Sequence, residues 1–192
     1  MTPPPLAIVQ ARMGSTRFPG KMIAPLGGRP LIWHAWRRSI EAFGEANVVV
    51  AMPNSAENDV LAEMVGNFAA TAQVFRWDGP ESDVLGRFFT CAHTFRWHPQ
   101  SVICRVTPDD PFKDAALMLR VSMGERHPVE MSCEAVTLEY LNLLHSEITD
   151  LDAREHLTHI LSPLPPPPCP PGVWTVDTEE DLKAIKAKME AG

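Results

Sequence analysis

The sequence predicts an α/β protein: a single-domain, three-layer α/β/α sandwich around a mostly parallel sheet. Three observations carry this. Short apolar runs alternate with amphipathic segments through the first 125 residues, the order that builds crossover units with parallel strands. The chain has 192 residues, enough for one substantial core. Hydrophobic residues make up 45% and charged residues 21%, an ordinary balance for a globular domain.

Taken in order, Leu6-Ala-Ile-Val-Gln10 is a short apolar run that ends in a Gly-containing loop, and it reads as a buried strand. Pro30 opens a helix at a position where proline is tolerated, with the stripe Ile32, Trp36, Ile40 and Phe43. Val48–Ala51 is the second strand. Ser55 and Asn58 are candidate caps for a helix whose stripe is Leu61, Val65 and Phe68. Gln73–Phe75 is a brief strand. Ser82 or Asp83 caps the next helix, which carries Leu85, Phe88 or Phe89, Ala92 and Phe95. Ser101–Val106 is the fourth strand, ending in the acidic turn Asp109-Asp110-Pro111.

Beyond residue 114 the pattern predicts a helix over 115–124, a strand over Pro128–Ser132, and helices over 134–145 and 151–161. Seven of the 19 prolines fall in 163–171. Such a run can be neither helix nor inner strand and is expected to be a stiff extended connector. The apolar run Val173–Val176 is expected to form a closing strand. A helix follows, with Leu182, Ile185 and Met189 on one face and a capping-box arrangement of Thr178 and Asp181.

The charge is unevenly placed. The net charge is −7, yet the first forty residues hold six cations (Arg12, Arg17, Lys21, Arg29, Arg37, Arg38) and no acid. An acidic body excludes a general nucleic-acid binder, which needs a broad basic face. A basic, Gly-containing amino-terminal stretch suits a small polyanion such as a nucleotide. No apolar run approaches the length needed to cross a bilayer, and the amino terminus lacks a secretory pattern. The four cysteines are scattered without a CxxC pair, and Cys104 lies within an apolar run. A reduced, cytoplasmic protein is expected.

The segment Gln10-Ala-Arg-Met-Gly-Ser-Thr-Arg-Phe-Pro-Gly-Lys21 combines small residues with three cations between a strand and a helix. Small residues let backbone N–H groups approach a ligand, Arg offers a fork to phosphate and Lys a point charge. The pattern is neither GxxxxGK[ST] nor GxGxxG, and a plain basic surface loop is the competing reading. This loop and residues 107–114 both follow strands directly, so both are expected at the carboxyl edge of the sheet, where ligands bind.

The string from Ile8 to Lys21 closely resembles the motif of the cytidylyltransferase family, which includes CMP-Kdo and CMP-sialic acid synthetases. The nearest branch is the spore-coat-polysaccharide type. Leu26-Gly-Gly-Arg-Pro-Leu31, Ser82-Asp-Val-Leu-Gly-Arg87, Arg105-Val-Thr-Pro-Asp-Asp-Pro111, Arg154-Glu-His-Leu-Thr158 and the segment 174–182 are similar to further family segments, in order. The resemblance implies a Rossmann-like fold of the nucleotide-diphospho-sugar transferase type. It implies transfer of CMP from CTP to a sugar or sugar-acid hydroxyl, with release of pyrophosphate and dependence on Mg²⁺. On that model Ala11, Arg12, Gly14, Ser15, Arg17 and Lys21 cradle the triphosphate, with Arg12 and Lys21 in catalytic roles. Asp109 and Asp177 match the metal-binding aspartates. Ser82 and Asp83 correspond to positions near the nucleoside, where helix capping accounts for them equally well. Arg87 and Arg105 support phosphate or substrate, or form internal salt bridges. His156 and His159, three apart on a predicted helix, have a spacing that can bind metal, but no third ligand is evident.

The sequence departs from the family between the Asp-x-Pro turn and the following strand, since Asp114 and Val129 are only fifteen positions apart. The family's usual Gly before the metal aspartate is Pro108, and its Cys or Glu after it is Asp110. The expected organisation is a nucleotide-binding part over 1–125 and a reduced acceptor part over 126–192, with the homodimer seen in relatives left open. Two other functions compete: a nucleotide-sugar-dependent glycosyltransferase, and a non-catalytic nucleotide-binding homologue that has lost the acceptor region.

Overall fold

A computed structural model describes residues 3–95, 97–155, 157 and 164–191. Its main sheet has five strands in the order β5-β4-β1-β6-β7. These are β1 (Leu6–Gln10), β4 (Val48–Pro53), β5 (Gln73–Trp77), β6 (Val102–Val106) and β7 (Glu134–Thr137). All neighbours pair in parallel except β7, which runs antiparallel to β6 at the edge. The short strands β2 (Pro25–Leu26) and β3 (Arg29–Pro30) form a separate antiparallel hairpin.

Side-chain alternation along the central strands explains the layers. Ala7 and Val9 of β1, with Val48 and Val50 of β4, bury one face against α1 (Leu31–Phe43), α2 (Asp59–Gly66) and α4 (Ala115–Ser122) through Ile32, Trp36, Leu61, Val65 and Met118. Leu6, Ile8, Val49 and Ala51 bury the other face. There Leu85 and Phe88 of α3 (Val84–Thr94) and Leu141 and Leu144 of α5 (Leu138–Glu147) cover the sheet. The last helix, α7 (Glu179–Ala191), docks elsewhere, packing Leu182 and Ile185 with Val176 on Leu26 and Leu31. It thereby ties the carboxyl-terminal segment to the start of α1.

The elements predicted through residue 125 are all present. Pro30 stands just outside α1 in extended conformation instead of in its first turn. Asp83 caps α3 by accepting from the Gly86 N–H, and Asp114 does the same for α4 with Leu117. Three later expectations are corrected. Pro128–Ser132 forms a single 3₁₀ turn, Val129–Met131; its proline has no N–H for a ladder, and the edge place on β6 goes to Glu134–Thr137. The helix expected from 134 therefore starts at Leu138, capped by Thr137. Val173–Val176 is not a closing strand: Val176 gives one backbone hydrogen bond, to the Asp109 carbonyl at 2.8 Å, while Trp174 bonds back to Pro170.

The helix expected over 151–161 is α6 (Leu151–Glu155); His156 and His159 lie outside the described residues. Leu164–Pro171 holds neither helix nor strand, as its prolines dictate. The predicted capping box of α7 is present, with reciprocal bonds between Thr178 and Asp181. Among the described residues no helix is long and apolar enough to cross a membrane.

Leu85 is fully buried between α3 and the sheet. Leu85→Ala should cost about 2–5 kcal/mol of stability by denaturant titration, with an unchanged slope.

Candidate active site

The connection order sets the location. From β1 the chain steps outward to β4 and β5, then returns to place β6 on the other side of β1. β1 and β6 therefore flank a topological switch point, and the loops leaving their carboxyl ends diverge to open a crevice. A cleft of about 250 Å³ lies there, lined by Gln10, Ala11, Arg12, Ser15, Thr16, Arg17, Lys21 and Met22 from the first loop. Arg105, Thr107, Pro108 and Asp109 line it from β6 and its turn, and Asp177 from the segment before α7. Both sequence-predicted loops thus meet, and Asp109 and Asp177 come together across 68 positions of chain.

The first loop is folded on itself. Ser15 N–H donates to the Met13 carbonyl at 2.8 Å, and Ser15 Oγ accepts from Phe18 N–H at 3.3 Å. Gly20, at φ 73°, takes the left-handed conformation that starts the 3₁₀ turn of Lys21–Ile23. That turn aims the Lys21 side chain into the cleft floor. There Lys21 Nζ donates to Asp109 Oδ2 at 3.0 Å, to the Val176 carbonyl at 2.9 Å and to Asp177 Oδ1 at 3.4 Å. Lys21 is buried, but the two carboxylates are partly open to the cleft.

The other cations are also held by acids. Arg17 pairs with Asp177 at 2.9 Å. Arg12 pairs with Glu81 at 2.8 Å and Glu155 at 3.7 Å. Arg105 donates to Gln10 at 2.9 Å and pairs with Glu134 of β7, the internal salt bridge that the sequence left as one of two options. It still lines the cleft.

Ser82, Asp83 and Gly14 are absent from the cleft lining. Asp83 has structural duties: besides capping α3 it receives Arg154 Nε at 2.7 Å and a second Arg154 N–H at 3.2 Å. Burial pushes its carboxyl up, but the Arg154 and Gly86 hydrogen bonds outweigh this and leave it below the ordinary carboxylate range. Gly14 sits against acids, since an added Cβ would stand 3.3 Å from Glu81 Oε1.

Two supporting groups were not found by sequence reasoning. Asn58, expected as a helix cap, makes no side-chain cap bond. Its Oδ1 instead accepts from the Met13 N–H at 2.8 Å, and its Nδ2 donates to Ser55 at 2.8 Å. A polar side chain between apolar stripes was the available signal, but capping explained it more simply. Lys113 is the second. It is buried, bonds to Asp110 Oδ2 and Thr107 Oγ1 at 2.9 Å each, and reaches the Val129 carbonyl. Asp110 also accepts from Thr175 at 2.6 Å. This network braces the turn that presents Asp109. No sequence spacing announces it, because its members come from three separate segments. Burial raises the Asp110 pKa, and Lys113 opposes the rise.

A protein-family model described as cytidylyltransferase matches residues 6–139. The chain belongs to the cytidylyltransferase family. It is 35% identical over 133 residues to the 3-deoxy-manno-octulosonate cytidylyltransferase of Methylococcus capsulatus, covering 68% of this chain and 48% of that protein. It is 39% identical over 119 residues to the spore coat polysaccharide biosynthesis protein SpsF of Bacillus subtilis, covering 59% of this chain and 46% of that protein. The chain thus spans about half the length of the curated relatives it matches. Among solved structures, a cytidylyltransferase from Leptospira borgpetersenii superposes with a TM-score of 0.80 at 25% identity, over 97% of this chain and 87% of that one. The nucleotidyltransferase neighbours bear out the Rossmann-like, mostly parallel fold.

Two predictions follow from this geometry. Asn58→Ala strands the Met13 N–H and should cost about 1–3 kcal/mol in denaturant unfolding. Asp83 has a lowered folded pKa, so its stabilisation is complete above the unfolded carboxylate value and is lost as pH falls through the folded one. The Asp83→Asn protein should therefore lose less stability than the wild type on acidification below about pH 4, followed by thermal unfolding.

Proposed function

We propose that the protein transfers CMP from CTP to a sugar or sugar-acid hydroxyl, releasing pyrophosphate with the help of Mg²⁺. The observation that carries this reading is the Lys21 ammonium held between Asp109 and Asp177 in the switch-point cleft, with Arg12 and Arg17 on its rim. A triphosphate needs such a cluster of cations, and nucleotidyl transfer additionally needs hard oxygen donors beside them. The family match and the sugar-acid cytidylyltransferases among its relatives support cytosine and the acceptor class.

The residues present fit magnesium. Mg²⁺ takes oxygen ligands and commonly only one or two protein carboxylates, and Asp109 and Asp177 supply two that reach the cleft within bonding distance of one ammonium. These two carboxylates are the proposed metal ligands. When bound, the ion offers charge neutralisation on phosphate oxygens. Lys21, Arg12 and Arg17 bind the triphosphate and offset charge on its equatorial and leaving oxygens. The first loop, braced by Asn58, fixes the α-phosphorus for in-line attack. The acceptor oxygen then bonds to that phosphorus, the bond to the β-phosphate oxygen breaks, and pyrophosphate departs. The acceptor proton passes to solvent. Ala11, Ser15 and Arg105, which line the cleft, belong to the nucleotide-binding part of this proposal, with residues 126–192 supplying the acceptor side in addition to Asp177.

The test is pyrophosphate release from each nucleoside triphosphate with Mg²⁺ and a panel of sugars and sugar acids. Release is expected with CTP, and absence of release with every pair overturns the proposal. Lys21→Met should slow turnover about 10²–10³-fold. Asp109→Asn and Asp177→Asn should each abolish the stimulation by Mg²⁺.

A further inference from the structure

Arg87, on α3, is 0% exposed, and none of its three guanidinium nitrogens has a hydrogen-bond partner among the described residues. A fully buried guanidinium without partners is costly, and persistent orphans of this kind require an explanation. Carboxylates are near. Glu81, Asp83 and Glu155 attract Arg87 through space, but burial, together with repulsion from Arg12, outweighs these three and draws its pKa down to about 10.

Those carboxylates are already engaged. Asp83 holds Arg154 and the α3 amino terminus. Glu81 and Glu155 both hold Arg12. Two cations therefore compete for one pair of acids, and the cation that has won them is the one on the rim of the triphosphate cleft. A triphosphate that claims Arg12 would leave Glu81 and Glu155 without a cation, with Arg87 beside them.

We propose that Arg87 is a positioning residue: it takes over Glu81 and Glu155 when the phosphates of CTP draw Arg12 into the cleft. This rests on the reading of Arg12 as a phosphate ligand given above. The exchange lowers the cost of freeing Arg12, because the released acids meet a waiting guanidinium instead of being left unpaired. It also couples nucleotide capture to the turn carrying Glu81 and to α6, which ends in Glu155.

The test combines thermal unfolding of the empty protein with calorimetric titration of CTP in the presence of Mg²⁺, on the full chain. Arg87→Met removes an unpartnered buried charge and keeps much of the volume. It should unfold at the same or a higher temperature than the wild type, yet bind CTP about tenfold more weakly, the equivalent of one lost charge-assisted contact. In a Glu81→Gln/Glu155→Gln background the same change should leave CTP affinity unaltered, because the acids it serves are gone. Arg87→Gln provides a second variant.

Unchanged CTP affinity in Arg87→Met overturns the proposal, with the functional reading left standing. Equal weakening in both backgrounds overturns it also. So does loss of the fold in both Arg87 variants, which would mean that the guanidinium is already satisfied in the empty protein. If the wild type binds no CTP, or Arg12→Met binds it as well as the wild type does, the reading of the cleft fails and the proposal falls with it.

Discussion

The buried ammonium of Lys21 is the point on which the site depends. Its three partners come from the β6 turn, from the segment before α7, and from the backbone of that same segment. One side chain therefore joins the amino-terminal loop to elements 88 and 156 positions away. A buried charge is costly unless its hydrogen-bonding capacity is met, so the position of Lys21 constrains Asp109, Val176 and Asp177 together. The apolar contact of Val176, Leu182 and Ile185 with Leu26 and Leu31 holds the same segments from behind. Packing and electrostatics here favour one arrangement.

The cleft is electrostatically self-satisfied. Each cation of the loop rests on acids supplied by another part of the chain: Arg12 on Glu81 and Glu155, Arg17 on Asp177, Lys21 on Asp109 and Asp177. A polyanion entering such a site must displace internal carboxylates, and a divalent cation that accompanies it can take up some of those displaced. This accounts for the uneven charge along the sequence. The cations of the first loop and the acids scattered through the rest are two halves of one cluster, separated in sequence because the sheet order brings them together.

Much of this was legible in the sequence, for identifiable reasons. Alternating apolar runs and amphipathic stripes report directly on burial, so the strands and helices through residue 125 could be read without tertiary knowledge. The loop from Gln10 to Lys21 was legible because its chemistry is contiguous. The region after residue 126 was harder. Its strand is four residues long and runs straight into α5 through Thr137, so period-2 and period-3.6 patterns overlap there. The apolar run Val173–Val176 reads as a strand by residue type, but only Val176 of the four is buried. In the fold it serves to position Asp177.

The sequence by itself determined the parallel α/β architecture, the basic loop after β1, and two distant aspartates placed after apolar runs. These are properties of local periodicity and of contiguous residue types. Only the tertiary structure decided which acids hold which cations, that Asn58 braces the loop instead of capping α2, and that Asp83 is tied to Arg154. It alone gave Glu81 and Glu155 to Arg12 while Arg87 is buried with no hydrogen-bond partner among the described residues. Each of these is a pairing between residues far apart in the chain, and the identity of a partner across such distances is fixed by sheet order and packing, which no local pattern records.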